Sequence, residues 1–215
     1  DNKAVWKIQA ALALIFLLNP FLGVLSTLFF VFVSKEKSMA FYLVIILTLF
    51  MWCLQSTRSF HLGEPSDWAG NYYYNFHNAA ITDTLTYLFF TTKEYAWQAF
   101  NLIGYYLFDG DFLSYANFIV ALTYMFTFAA IYKFWNYIQA DPRFLVASLC
   151  LFAFVTEVNG ICNNLLRQQF AMSMMLYAII ERCTNGRILY PLLVISFFTH
   201  TMTGFFIPFL FIRLG

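Results

Sequence analysis

Six apolar runs divide this chain, and several reach the roughly 20 residues that a helix needs to cross a bilayer. They are Val5–Val33, Met39–Thr57, Phe112–Trp135, Phe144–Val158, Asn163–Glu181 and Ile188–Ile212. A soluble domain carries about a quarter charged residues. This chain is 61% hydrophobic and 11% charged. A membrane β-barrel would instead show ~10-residue alternating segments. The expected fold class is therefore all-α, a polytopic transmembrane helical protein with about six spans, built as one domain over residues 1–215. The first run, at roughly 43 Å of helix, exceeds one perpendicular crossing, and Asn19-Pro20 and Gly23 are expected to kink it.

Between the second and third runs lies a long insert, residues 58–112, with Gly63, Pro65 and Gly70 and six acids: Glu64, Asp67, Asp83, Glu94, Asp109 and Asp111. Its apolar parts, Ile81–Phe90 and Tyr95–Phe108, are too short to span and read as interfacial or re-entrant helices. Orientation follows from Lys and Arg in short loops. Lys35, Lys37, Lys133, Arg143, Arg182 and Arg187 crowd three tight connections, which predicts those loops on the cytoplasmic side and the insert outside. Lys3 and Lys7 argue against that assignment. The chain stops soon after Arg213 and is expected to continue in a longer protein.

The net charge of +1 and the lack of a basic patch give no nucleic-acid partner. Cys53, Cys150, Cys162 and Cys183 are scattered in apolar segments and read as small buried hydrophobes. No metal is expected: His61 and His77 lie sixteen residues apart without paired ligand spacing. There is no GxSxG elbow, Walker loop or HExxH.

Two residues break the apolar pattern where breaking it is costly. Arg167, with Gln168 and Gln169, lies in the fifth run, and His200, among Thr199, Thr201 and Thr203, lies in the sixth. A cation in a bilayer costs about 2.5–3.5 kcal/mol on insertion scales, so such groups usually face a cavity and mark a site. The turn around Thr184-Asn185-Gly186 makes these runs antiparallel neighbours. Arg167 precedes Arg182 by 15 residues, roughly 22 Å of helix. His200 follows Arg187 by 13, roughly 20 Å. The two share a depth in the outer half of the membrane. Whether they face each other depends on helix rotation, which spacing does not fix.

Guanidinium binds phosphate oxygens bidentately and stays charged, whereas histidine moves protons near neutral pH. Together they suggest a lipid-linked diphosphate handled at the outer face. The alternatives are a snorkelling Arg167 and a His200 satisfied by its threonines. Further candidates are Arg58 at the end of the second run, Asp67 and Glu157 as acids, and Trp68, Tyr72, Tyr73 and Tyr74 as platforms for sugar rings. Each also has a bland reading, as interfacial anchor, cap or ion-pair partner.

The order Leu166-Arg167-Gln168-Gln169-Phe170-Ala171, an apolar helix, a short basic turn and Phe197-Phe198-Thr199-His200 resembles the EpsG-like branch of Wzy-type bacterial polysaccharide polymerases. So does the upstream order: Lys35-Glu36-Lys37, a span ending in Arg58, then a loop with Asp67 leading to Tyr72–Tyr74. The resemblance implies an inner-membrane, multi-pass glycosyltransferase of GT-C-like architecture that needs neither cofactor nor metal. Its substrate would be an oligosaccharide on undecaprenyl diphosphate, and its partners membrane lipids, a chain-length regulator and a flippase. Arg167, Arg58 and Gln168 would hold the diphosphate, and His200, Asp67 or Glu157 would take the acceptor proton. Competing readings are a flippase or transporter of the same lipid, an O-antigen ligase, a membrane acyltransferase, or a structural subunit.

Overall fold

The computed structural model describes residues 2–34, 36–57, 71–155 and 165–211, and among them every regular element is helical. Ten α-helices follow in order: α1 (Asn2–Leu18), α2 (Pro20–Ser34), α3 (Ala40–Ser56), α4 (Tyr73–Ile81), α5 (Thr84–Phe90), α6 (Tyr95–Leu107), α7 (Phe112–Ile138), α8 (Pro142–Phe154), α9 (Leu166–Asn185) and α10 (Tyr190–Thr199). A 3-10 helix, Thr201–Phe211, closes the described chain.

Helix boundaries sit where local chemistry puts them. Asp111 accepts from the backbone N–H of Leu113 and Ser114 at the start of α7. Asp141 accepts from Arg143 N–H at 2.9 Å, with Pro142 in the first turn of α8, where a missing N–H costs nothing. Gly186, at φ 70°, ends α9 in the left-handed conformation glycine tolerates.

α7 is the central helix and packs chiefly against α9 and α3. Phe126 meets Phe170 and Tyr177 of α9, and Lys133 forms an ion pair with Glu181, so α7 and α9 run in the same direction. Phe41 meets Tyr132, and Lys37 donates to Gln139 at 2.9 Å, so α3 runs opposite to α7. Phe50 meets Phe154, and Arg143 donates to the Phe32 carbonyl, so α8 runs with α3. Lys37, Lys133, Arg143 and Arg182 thus gather at one end of the bundle; Lys35 lies outside the described residues.

Two apolar runs differ from single spans. A Cβ on Gly23 would sit 2.4 Å from the Phe16 Cα, whereas residues seven apart in a straight helix lie roughly 10 Å apart. The expected kink at Asn19-Pro20 is therefore a complete fold-back. The Tyr42 hydroxyl donates to the Gln9 carbonyl at 2.9 Å, tying α1 to the start of α3. The sixth run breaks at His200, whose backbone is extended (φ −153°, ψ 115°). The Ser196 hydroxyl donates to the Ala171 carbonyl on α9. Ten residues after His200, Arg182 Nε donates to the Leu210 carbonyl at 3.1 Å. The 3-10 helix thus runs back beside α9, and His200 forms the tip of a second hairpin.

The outer surface is apolar. Phe21, Leu25, Phe29 and Phe32 are exposed along α2, while Gly23, Val24, Thr27, Leu28 and Val31 on its other face are buried. Such stripes exceed what a soluble monomer tolerates and suit a surface solvated by lipid tails. Lys37–Ser56 and Phe112–Ile138 are long and apolar enough to cross a membrane; the other apolar helices are shorter. Of the cysteines, Cys53 is exposed on α3 rather than buried, and Cys150 and Cys183 are partly buried.

The described part of the insert, residues 71–112, folds onto the opposite end. Where one segment was expected over Ile81–Phe90, the chain turns at Thr82-Asp83, and Asp83 caps α5 by accepting from Thr86 N–H. α6 matches its expected extent. It docks through Gly104 on the Tyr115 ring, where a Cβ would come within 2.4 Å of the ring atoms. The Tyr115 hydroxyl donates to Asn101 at 2.9 Å.

Candidate functional site

Arg167 lies in the first turn of α9, and His200 at the hairpin tip between α10 and the 3-10 helix. They meet at one carboxylate, that of Glu94. Arg167 Nη1 forms an ion pair with Glu94 Oε2, and His200 Nδ1 lies 3.3 Å from Glu94 Oε1. That separation serves an ion pair when the ring is protonated, but it is off the line of a straight hydrogen bond. The two residues lie at one level of the bundle, and the rotation that spacing left open turns both side chains to the same carboxylate, one to each oxygen.

Glu94 stands at the start of α6 yet makes no capping bond to it. Its side chain is 13% exposed, against 29% for Arg167 and 17% for His200, so the trio is largely screened from solvent. Burial pushes the Glu94 carboxyl above the usual carboxylate range, while the Arg167 guanidinium pulls it down. Arg167 Nε is buried without a hydrogen-bond partner. The alternative of a His200 side chain satisfied by Thr199 or Thr203 is not what the structure shows. Thr199 donates to the Ile195 carbonyl, and Thr203 donates to the backbone carbonyl of His200, leaving the imidazole to Glu94.

Arg167, Gln168 and His200 form one wall of a cavity of about 530 Å³. Asn71, Asn75 and Asn78 face it from α4 and the turn before it, at helical spacing, and Tyr72, Tyr74, Thr91, Thr92 and Leu165 complete the lining. The buried Gln98 of α6 donates to both Thr91 and Thr92, fixing that part of the wall. A second cavity of about 590 Å³, among α7, α8 and α9, is lined by apolar side chains such as Ile131, Trp135 and Phe144, and its described lining holds no titratable group.

The structure thus joins Arg167, Gln168, His200, Tyr72 and Tyr74. Tyr72 also packs edge-on against Trp97. Tyr73 points elsewhere, into an aromatic nest with Phe112 and His77. His77 engages the Tyr73 carbonyl at 2.9 Å. Arg58, Asp67, Trp68 and Glu157, with His61, lie outside the described residues. Two features escaped the sequence reading. Glu94 looked like one insert acid among six, because nothing local shows that a connection folds back into the bundle. The asparagine stripe was visible in its spacing, since positions three and four apart share a helix face.

An all-helical chain with an apolar exterior and a polar, charged cavity at one end is a membrane protein built around a hydrophilic site. The chain belongs to the EpsG family, whose model matches residues 41–214. The match spans every candidate residue and begins at the second residue of α3, leaving α1 and α2 outside it. That membership makes this a membrane protein related to polysaccharide biosynthesis. No curated protein and no solved structure matches the chain.

Proposed function

We propose that this protein is a glycosyltransferase that polymerises oligosaccharide units carried on undecaprenyl diphosphate, at the outer face of a bacterial inner membrane. The observation that carries the reading is the meeting of Arg167 and His200 at the wall of a polar cavity rich in amide and hydroxyl groups. In the reaction, an acceptor hydroxyl attacks the anomeric carbon of a second unit. The bond from that carbon to the lipid diphosphate breaks, and the chain grows at its reducing end. Arg167 faces the charge that develops on the leaving diphosphate, the placement in which a fixed cation contributes most. Arg58 adds to it if it reaches the cavity. His200 is the base at hand; Asp67 and Glu157 remain the other acids proposed for that role. Asn71, Asn75, Asn78 and Gln168 offer amides to sugar hydroxyls, and Tyr72 and Tyr74 offer ring faces. A chain-length regulator and a flippase are the expected partners.

The test is incubation of the purified protein with lipid-linked repeat units from its host, with products resolved by size. A ladder with release of lipid diphosphate is expected, and Arg167→Ala should abolish it without loss of protein from the membrane. Wild-type chain lengths in that variant would end the proposal. The hairpin broken at His200 favours one second reading, because transporters place substrate at interrupted helices. A folded protein that leaves its substrate unchanged but moves the lipid between liposome leaflets would establish it.

A further inference from the structure

Arg167 is the only guanidinium on the cavity wall among the described residues, and it is already engaged by Glu94. The rest of the described lining is neutral apart from His200. A diphosphate that takes both faces of the guanidinium fork needs the Nη1 that Glu94 occupies as well as the unpartnered Nε. It would also place its charges beside an ionised carboxylate in a largely screened site, which favours protonation of that carboxylate.

We infer that Glu94 is a resident counter-ion that occupies the anion seat on Arg167 in the empty protein and is displaced when a diphosphate binds, taking up a proton from water as it leaves. The inference rests on the diphosphate reading of Arg167 and adds a regulatory step to it. In the empty state Glu94 holds Arg167 and His200 in register. In the loaded state the carboxylate becomes a neutral acid, and substrate binding is coupled to proton uptake. Among the described residues, the charged groups that face Glu94 are Arg167 and His200. On the neighbouring elements, His77 turns to the Tyr73 carbonyl, Asp83 caps α5, and Tyr87 donates to the Asn75 carbonyl. Lys93 adjoins it in sequence and is exposed.

The probe is a short-prenyl diphosphate sugar, a diester whose charges stay fixed from acid to alkaline pH. Its binding to the full chain is measured by calorimetry in buffers of different ionisation enthalpy. At neutral pH the wild type should take up close to one proton per ligand bound, and Glu94→Gln measurably less. Glu94→Gln should bind about tenfold tighter, a free-energy change of roughly one pK unit, and the gap should narrow as pH falls. Because His200 touches Glu94 and can itself take up a proton, the same comparison is made in a His200→Gln background, where the difference isolates Glu94. Equal or weaker binding by Glu94→Gln, with unchanged proton uptake, would make Glu94 a structural clamp and overturn the inference. If Glu94→Gln does not fold, the proton count of His200→Gln decides, and zero uptake there overturns the inference. Binding that survives Arg167→Ala would instead remove the diphosphate reading of Arg167.

Discussion

Of the acids that stand at helix starts in the insert, Asp111 and Glu94 do different work. Asp111 turns its carboxylate onto the first turn of α7, accepting from Leu113 and Ser114 N–H and from the Ser114 hydroxyl at 2.6 Å. Glu94 begins α6 and ignores it, reaching across to Arg167. The Ser114 hydroxyl first, with the backbone donors behind it, holds the Asp111 carboxyl below its ordinary value. A lowered folded value means that ionised Asp111 stabilises the fold above the unfolded carboxylate's value, about 3.9, and loses this as pH falls through the folded one. Asp111→Ala should therefore cost about 1 kcal/mol near neutral pH. The difference in unfolding temperature in detergent should vanish in acid; a gap that persists there would show that the loss is not the cap's charge. Asp111 was readable as a cap from its place before an apolar run. Glu94 was not, since its partner is 73 positions away in sequence.

At the scale of elements, the hairpins are the main departure from a chain of simple spans. Asn19-Pro20 marked the interruption, because proline removes a helix donor, but neither residue says how far the chain turns. Gly23 carries that information only once Phe16 is seen against it. Gly23→Ala would drive a Cβ into the Phe16 backbone, and overpacking of this kind costs about 1–3 kcal/mol. A lowered midpoint of thermal unfolding is expected. An unchanged midpoint would mean that α1 and α2 separate freely and the fold-back is not held by this contact. The sixth run had no proline or glycine at its break. Its turn at His200 comes from contacts on both sides, Ser196 on the Ala171 carbonyl and Arg182 on the Leu210 carbonyl.

For the whole molecule, the fold-back of α1 and α2 changes the balance of charge between the two sides. With Gln9 bonded to Tyr42 near the start of α3, Lys7 joins the end that holds Lys37, Lys133, Arg143 and Arg182. It then supports the orientation it argued against as part of a single span. We propose that this end is cytoplasmic and that α4, α5 and α6 lie outside. In a cysteine-free background, Lys7→Cys and Ser34→Cys should react with a membrane-impermeant thiol reagent only after the inner face is opened. Ile81→Cys, which is 81% exposed, should react from outside. Labelling of Lys7→Cys from outside would contradict the topology. The sequence by itself determined the helical class, the apolar exterior and the common level of Arg167 and His200 along neighbouring segments, because these depend on composition and on a fixed rise per residue. The tertiary structure alone decided where the chain folds back, which way the two side chains point, and that Glu94 joins them. Those depend on long-range packing, which no local pattern encodes.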